Sequence, residues 1–388
     1  MKISIITSNY PYSARPYYGT FVQNLVRNFS LSGISCDVIR PLSIFDSRYG
    51  KLPSLLMYDN TLARKSNIKI WTPKYFSASA KKICMFNTAA ISNFNYARAV
   101  RKILNRLKPF PNILYGHFLY PSGALAIKLA SEFGLPSIVA VGDSQLKEYL
   151  NDLEIDKLEN DFKNVSGVIA VSQYNKRFCV EHLRIPQERI RVFPNGIDHS
   201  TFFPRDRMEM RKKYNLPTNK FIIAFTGHFI KRKGADRVLQ AINELKEIGI
   251  LLIGAGPMNL ESQNILFKGF LKQELVPEML SAADIFVLPT EAEGSCNSML
   301  EAMACGLPIV TSNIDENKDI VDKNVSIMVN PNNVDEIRNA ILTLKQNKQL
   351  RNEMSKNALL KSTQFDIRER ANNILKWINE IYENFQNE

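Results

Sequence analysis

The stretch ADIFVLPTEAEGSCNSMLEAMACGLPIVTS, residues 283–312, decides the fold. It reads as strand, loop, helix, turn, strand. Residues 285–288 are a short apolar run ended by Pro289, Gly306-Leu307-Pro308 closes the segment, and residues 309–311 are apolar again, so a helix is predicted over 297–305. Glu293 precedes that helix and Glu301 lies in its second turn. Both carboxylates can face the crevice at the carboxyl end of a parallel strand, where open α/β sheets bind ligands. The amides of Ser295, Cys296, Asn297 and Ser298 lie at the same junction. Amides at a helix start suit a phosphate and carboxylates suit hydroxyls, so the pattern predicts an anionic, hydroxyl-rich ligand. Glutamates at this spacing also occur as solvated surface charges, and the rest of the chain has to decide between the two.

At 388 residues the chain suits two domains. The N-terminal MKISIITSNYPYS has too short an apolar run for a signal peptide and reads as a first strand, and no window of some 18 uninterrupted apolar residues exists to span a bilayer. Cys36, Cys84, Cys179, Cys296 and Cys305 are scattered without a Cys-x-x-Cys pair, which predicts free thiols in a reducing cytoplasm, neither disulfides nor a zinc site. The charge is unevenly placed. Residues 1–108 hold 17 Lys/Arg against 3 Asp/Glu, a balance of +14, whereas residues 201–388 hold 24 of each. From Arg48 to Lys108 and just beyond, the cations are interleaved with Tyr49, Tyr58, Trp71, Tyr75, Phe76, Phe86, Phe94, Tyr96 and Phe110. Cations among aromatic anchors fit an anionic membrane surface or an anionic acceptor carried on lipid; a solvated basic face is the plainer alternative. Nucleic acid is not expected as a partner, since no recognisable nucleic-acid module is present.

Strand, glycine turn and helix recur along the chain. A strand over 3–7 leads to a turn ending at Gly19, a helix over 20–31 and a strand over 36–39. A second such unit runs 113–115, Gly116-His117, a helix through 123–133 and a strand over 137–141 followed by Gly142-Asp143. Polar groups just past a strand, such as His117 and Asp143, face the crevice more often than the core. After strands at 167–172 and 190–193, the run Pro194-Asn195-Gly196-Ile197-Asp198 leads to a charged stretch, residues 205–217, that reads as a linker. The second half repeats the theme, with a strand over 221–226, the loop GHFIKRKG at 227–234, a helix over 235–247, and a strand over 250–253 before Gly254-Ala255-Gly256-Pro257. Such alternation predicts parallel sheets covered on both faces.

Glu293, seven residues, Glu301 and then AMACGLP, preceded by FKGF at 267–270 and by Gly254-x-Gly256-Pro257, Gly227 through Lys233-Gly234 and the strand-end His117, resemble the retaining nucleotide-sugar glycosyltransferases of family 4. The resemblance covers almost the whole chain. It implies the GT-B fold, two Rossmann-like domains with parallel sheets facing an interdomain cleft: an acceptor-binding domain over 1–203, onto which a helix at about 366–388 packs back, and a nucleotide-sugar-binding domain over 204–365. It implies catalytic roles for Glu293, Lys233 and His117. Donor contacts fall to Gly19, His228, Arg232, Gly256, Gly294, Ser295, Cys296, Asn297, Ser298 and Glu301, with Asp143 and Asn195 on the acceptor side. Three departures stand out: His228 replaces the family's usual arginine, Gly294-Ser295-Cys296 replaces Gly-Phe-Gly, and the first loop keeps one glycine of a pair. No Asp-x-Asp occurs, so no metal or other cofactor is expected, and cationic side chains and helix dipoles take over the diphosphate charge. The expected partners are a nucleotide-sugar, most simply a UDP-sugar, and a lipid-linked or oligosaccharide acceptor, met at the inner face of the plasma membrane by a cytoplasmic, peripherally bound protein. A sugar-nucleotide 2-epimerase on the same architecture and a non-catalytic sugar-nucleotide-binding subunit are the rival readings.

Overall fold

The computed structural model describes residues 1–12, 18–45, 54–59, 67–78, 82–83, 86–144, 146 and 155–387. Arg48, Tyr49 and Cys84 lie outside the described residues. The chain divides into two compact units: Met1–Val171, Asn175–Phe193 and Glu369–Glu388 in the first, Ser172–Tyr174 and Pro194–Arg368 in the second.

The sheet of the first unit has eight strands in the order Ile190–Val192, Gly167–Ala170, Ser137–Val141, Ile113–His117, Lys2–Ile6, Ser35–Ile39, Ile68–Trp71 and Leu56–Tyr58; only the last pairs antiparallel. Its central strands are buried at every position, as strands covered on both faces must be. The order reverses between Lys2–Ile6 and Ile113–His117, which pair in register Ile5↔Tyr115 and Ile6↔Gly116. One face is covered by the Thr20–Leu31 helix, whose Val22, Leu25, Val26 and Phe29 are buried, together with Ala371, Ile374, Leu375, Trp377 and Ile378 of the last helix, Ile367–Asn387.

The sheet of the second unit has six parallel strands in the order Ile265–Gly269, Ile248–Ile253, Phe221–Thr226, Ile285–Leu288, Ile309–Ser312 and Ser326–Val329. Its order reverses between Phe221–Thr226 and Ile285–Leu288, paired through Ile223↔Ile285 and Ala224↔Phe286. The predicted strand–loop–helix–turn–strand of the opening stretch is present as Ile285–Leu288, the helix Asn297–Ala304 and Ile309–Ser312, with Gly306 at φ +78° providing the left-handed stop.

The structure corrects the sequence reading in three places. The chain enters the second unit at Pro194, ahead of the boundary at 203, because Ile197 and Phe202 are part of the second core. The charged stretch after it is no linker. Asp206 caps a helix at Arg207–Lys213 by accepting from the Glu209 amide at 2.8 Å, Met210 enters the core, and the guanidinium of Arg211, 3% exposed, donates to Asp284 at 2.7 Å and to the Ala282 carbonyl at 2.9 Å. Its sequence reads as a linker because the partners of Arg211 lie some 70 residues away. The helix predicted over 235–247 ends at Ile242, since the strand of Ile248 begins there after a tight turn closed by the Leu245 amide on the Ile242 carbonyl, 2.9 Å.

Candidate active site

Each sheet holds its site residues at its own point of strand-order reversal, where the loops after two adjacent strands diverge and leave a crevice. In the second unit those loops are 227–234 and 289–296. Lys233 comes from the first and Glu293 from the second, and the Lys233 Nζ donates to Glu293 Oε1 in a short ion pair. Both side chains are largely buried, Glu293 as a residue to 6% exposure, so low surrounding polarity strengthens the pairing. The loops are tied further: Arg232 donates through Nη1 to the Ala292 carbonyl, and the Glu291 amide donates to the Arg232 carbonyl at 2.9 Å. His228 is exposed at the start of its loop.

Gly256 and Gly254 support this loop from the neighbouring strand. A Cβ on Gly254, φ +150°, would lie 1.9 Å from the Gly227 carbonyl oxygen, and one on Gly256 would lie 2.4 Å from that of Phe229. Backbone packs on backbone there, which is why the sequence needs glycine.

Glu301 projects from the second turn of the Asn297–Ala304 helix. Its partly buried carboxyl has no hydrogen bond or ion pair among the described residues, and desolvation pushes its pKa up to about 8. A desolvated carboxyl with unused acceptors is suited to a pair of vicinal hydroxyls. Ahead of the helix, Cys296 is 3% exposed with its thiol 3.3 Å from the Ser298 hydroxyl; burial, with the charge of Glu293 adding to it, pushes the thiol up to about 11, so it lines the site as an unreactive neutral group. Asn297 and Ser298 are the first residues of the helix. Ser295 is engaged from an unexpected side. Its hydroxyl accepts from the Asn195 amide at 2.9 Å and its carbonyl from the Asn195 side chain at 3.1 Å. Asn195, expected on the acceptor side in the first domain, belongs to the second unit and braces this loop; the turn at 194–198 brought it there.

In the first unit, Gly19 lies on the loop after the strand Lys2–Ile6, and His117 is the last residue of the strand Ile113–His117 beside it. Gly19 has φ +74° at the start of the Thr20–Leu31 helix, and a Cβ on it would meet the Asn9 carbonyl group at 2.5 Å. His117 is 6% exposed amid Phe21, Tyr115 and Phe118, with ring centroids 5.5, 6.1 and 4.7 Å away. Burial, helped by the Arg370 charge, lowers its pKa to about 3, so the imidazole is neutral at physiological pH. Its Nδ1 is buried and has no hydrogen-bond partner among the described residues. Asp143 lies beside the same turn, its Oδ2 accepting from the Leu119 amide at 3.3 Å. Among the described residues no group of three His, Cys, Asp or Glu side chains is arranged to hold a metal ion.

Two residues escaped the sequence reading. Arg370, in the last helix, donates to the Phe193 carbonyl at 3.3 Å and acts on His117. Arg237 holds the two loops of the second unit together. One signal for it was available: a cation in the first turn of the helix Ala235–Ile242 opposes the helix dipole, which requires compensating acceptors.

Comparison with known proteins agrees with this arrangement. Residues 206–361 match the family described as Glycosyl transferases group 1, and residues 19–201 match Glycosyltransferase Family 4. The chain belongs with the family 4-like glycosyltransferases. Over 355 residues this glycosyltransferase is 24% identical to TuaC of Bacillus subtilis, named for teichuronic acid biosynthesis, covering 88% of each chain. It is 29% identical over 213 residues to an Escherichia coli UDP-Gal:alpha-D-GlcNAc-diphosphoundecaprenol alpha-1,3-galactosyltransferase, covering 50% of this chain and 55% of that one. Its GT-B fold is shared with sucrose-phosphate synthase from Thermosynechococcus elongatus, TM-score 0.80 at 15% identity, covering 98% and 99% of the two chains. It is shared also with Anabaena HepE, solved with UDP-glucose, TM-score 0.76 at 17% identity, covering 98% and 100%.

Proposed function

We propose that this glycosyltransferase is a retaining enzyme that moves a sugar from a nucleotide-sugar, a UDP-sugar, to a lipid-linked glycan in cell-surface polysaccharide assembly. The observation that carries the reading is the set Lys233, Glu293 and Glu301 at the strand-order reversal of the second unit: one cation for phosphate, two carboxylates for hydroxyls. Relatives named for teichuronic acid synthesis and for a UDP-Gal-dependent, diphosphoundecaprenol-linked transfer support the donor and acceptor classes.

In this mechanism the bond between the sugar C1 and the β-phosphate oxygen breaks and a bond from the acceptor oxygen to C1 forms on the same face. The acceptor proton goes to the departing phosphate oxygen, so no protein nucleophile is needed. Lys233 and the amides of Gly294 to Ser298 hold the charge that grows on the diphosphate, in place of a metal. Glu293 holds sugar hydroxyls near C1 and stabilises oxocarbenium character. Glu301 accepts from the ribose hydroxyls. His117, neutral, hydrogen-bonds a substrate hydroxyl, and Asp143 takes the acceptor side. Nucleotide release, followed across UDP-, GDP- and ADP-sugars with a lipid extract as acceptor and with and without chelator, tests all of this. Acceptor-dependent release of UDP, insensitive to chelator and with the anomeric configuration kept, is expected. Turnover of the UDP-sugar without acceptor would make it an epimerase instead.

The first unit supports an anionic membrane as the place of action. Phe45 and Phe76 are exposed with ring centroids 5.0 Å apart, and Asn95 donates to the Phe76 carbonyl at 3.0 Å, joining them to the helix Thr88–Leu104, which exposes Ile91, Phe94, Arg98 and Lys102 and contains no acidic residue. No helix among the described residues is long and apolar enough to cross a membrane. The protein should sediment with phosphatidylglycerol vesicles at low salt and lose that binding at high salt or with the F94S/R98E/K102E variant; salt-independent binding, or none, would remove the membrane from the proposal.

A further inference from the structure

We propose that Arg237 is a positioning residue whose guanidinium fixes the Lys233 loop against the Glu293 loop and so sets the geometry of the pair the reaction uses. The kinetic part of this inference rests on the transferase reading above. Arg237 is 6% exposed, and its fork reaches both loops. Nη1 donates to the Lys231 carbonyl at 2.9 Å on one side and to the Glu291 carboxylate at 3.1 Å on the other. Nη2 donates to the Pro289 carbonyl at 2.8 Å and the Arg232 carbonyl at 3.5 Å. Two acceptors thus come from the loop after Phe221–Thr226 and two from the loop after Ile285–Leu288. Lys233 and Glu293 lie one or two residues beyond these anchors.

The neighbouring backbone is shaped around the same group. Gly234 has φ +77°, and a Cβ on it would lie 2.6 Å from the Arg237 Nη2 and 2.7 Å from the Pro289 oxygen. Any side chain at 234 would push the guanidinium off both loops. A planar fork can satisfy four acceptors on two segments at once, and a lysine ammonium, with one centre at the end of a flexible stem, cannot hold that spacing. Burying a guanidinium solely to start a helix would not need acceptors from a second segment some 50 residues on. The arrangement fits a crevice whose two walls must stay at a fixed distance while the ligand enters.

Hydrogen exchange and kinetics together test this. In Arg237→Lys, amides 231–234 and 291–294 should exchange at least tenfold faster together, while those of the Phe221–Thr226 and Ile248–Ile253 strands keep their protection. A purely local role at the helix start would speed up only the first set, and that result, or unchanged exchange in both, overturns the proposal. In the transfer assay kcat should fall at least tenfold. Adding Lys233→Ala to Arg237→Lys should then cost much less than Lys233→Ala costs in the wild type; full additivity also overturns it. Should Arg237→Lys fail to fold, Glu291→Gln removes one arm from the partly exposed side, with a several-fold loss in kcat and faster exchange of both loops expected; wild-type behaviour of that variant overturns the inference. The exchange result is independent of catalysis, so a wild-type protein that transfers no sugar would refute the proposed function and leave the role of Arg237 to be decided on its own.

Discussion

Lys233 and Glu293 are 60 residues apart in sequence and form a direct ion pair across the point where the strand order of the second unit reverses. In the ligand-free protein each neutralises the other. On the proposed function, a diphosphate arriving at Lys233 would compete with Glu293 for the ammonium and free the carboxylate for sugar hydroxyls, so donor binding itself would arm the site.

Glu293→Gln should therefore separate binding from chemistry. It preserves shape and removes charge, and transfer is expected to drop on the order of 100-fold or more while UDP affinity stays within a few-fold of wild type. Calorimetric UDP titration beside single-turnover transfer checks it. Parallel losses in both would show that Glu293 serves ground-state binding.

The pair also predicts a stability pattern. Lys233→Ala strands a buried carboxylate and should destabilise by about 3 kcal/mol, as breaking buried pairs does. The Lys233→Met, Glu293→Gln double variant leaves no unpaired charge and should recover most of that loss in a denaturant titration. A double variant less stable than both singles would contradict the reading.

If Glu301 holds the ribose hydroxyls as proposed, nucleotide binding should depend on pH. Its folded-state pKa is raised to about 8, so the free site is mostly protonated at pH 7. The ionised carboxylate is the better acceptor for two hydroxyls, and UDP affinity should rise several-fold between pH 7 and pH 9, with proton release on binding, while Glu301→Gln should flatten that rise. Stability has the opposite sign. Between the unfolded carboxyl pKa, about 4.3, and 8 the folded state binds more protons than the unfolded state. Stability from this group therefore falls as pH rises through that window. Glu301→Gln should accordingly gain thermal stability relative to wild type at pH 9 and not at pH 4.

His117 should contribute no acidic limb to the rate profile. With its pKa lowered to about 3, the ring is neutral throughout the working range. His117→Ala is expected to lower kcat about 10- to 100-fold, as losing a buried hydrogen bond worth about 1–3 kcal/mol would, without changing the shape of kcat against pH between 5.5 and 8. A limb near 6.5 that vanishes in the variant would mean that ligand binding restores the ordinary pKa of the imidazole.

Gly254→Ala tests the backbone seam beneath the Lys233 loop. The added methyl would stand 1.9 Å from the Gly227 carbonyl oxygen, and a loss on the order of 3 kcal/mol is expected, read as a lowered melting midpoint and weaker UDP binding together. An unchanged midpoint would show that the loops are not in contact in solution.

The sequence by itself determined the layering of this protein. Short apolar runs such as FIIAFT at Phe221–Thr226 and IFVL at Ile285–Leu288, bounded by glycine and proline turns, read as buried strands, and the glycine turns mark where helices cross over. It determined also that Glu293, Glu301 and Lys233 flank such turns, because turn chemistry and helix starts depend on neighbours a few residues away. Only the tertiary structure decided which turns adjoin. Strand order put residue 233 beside residue 293, packing drew Asn195 to Ser295 and Arg237 between two loops, and a core contact by Phe202 moved the unit boundary. Burial, a property of the assembled molecule, then raised Glu301 and lowered His117; local pattern carries no measure of how much water a side chain keeps.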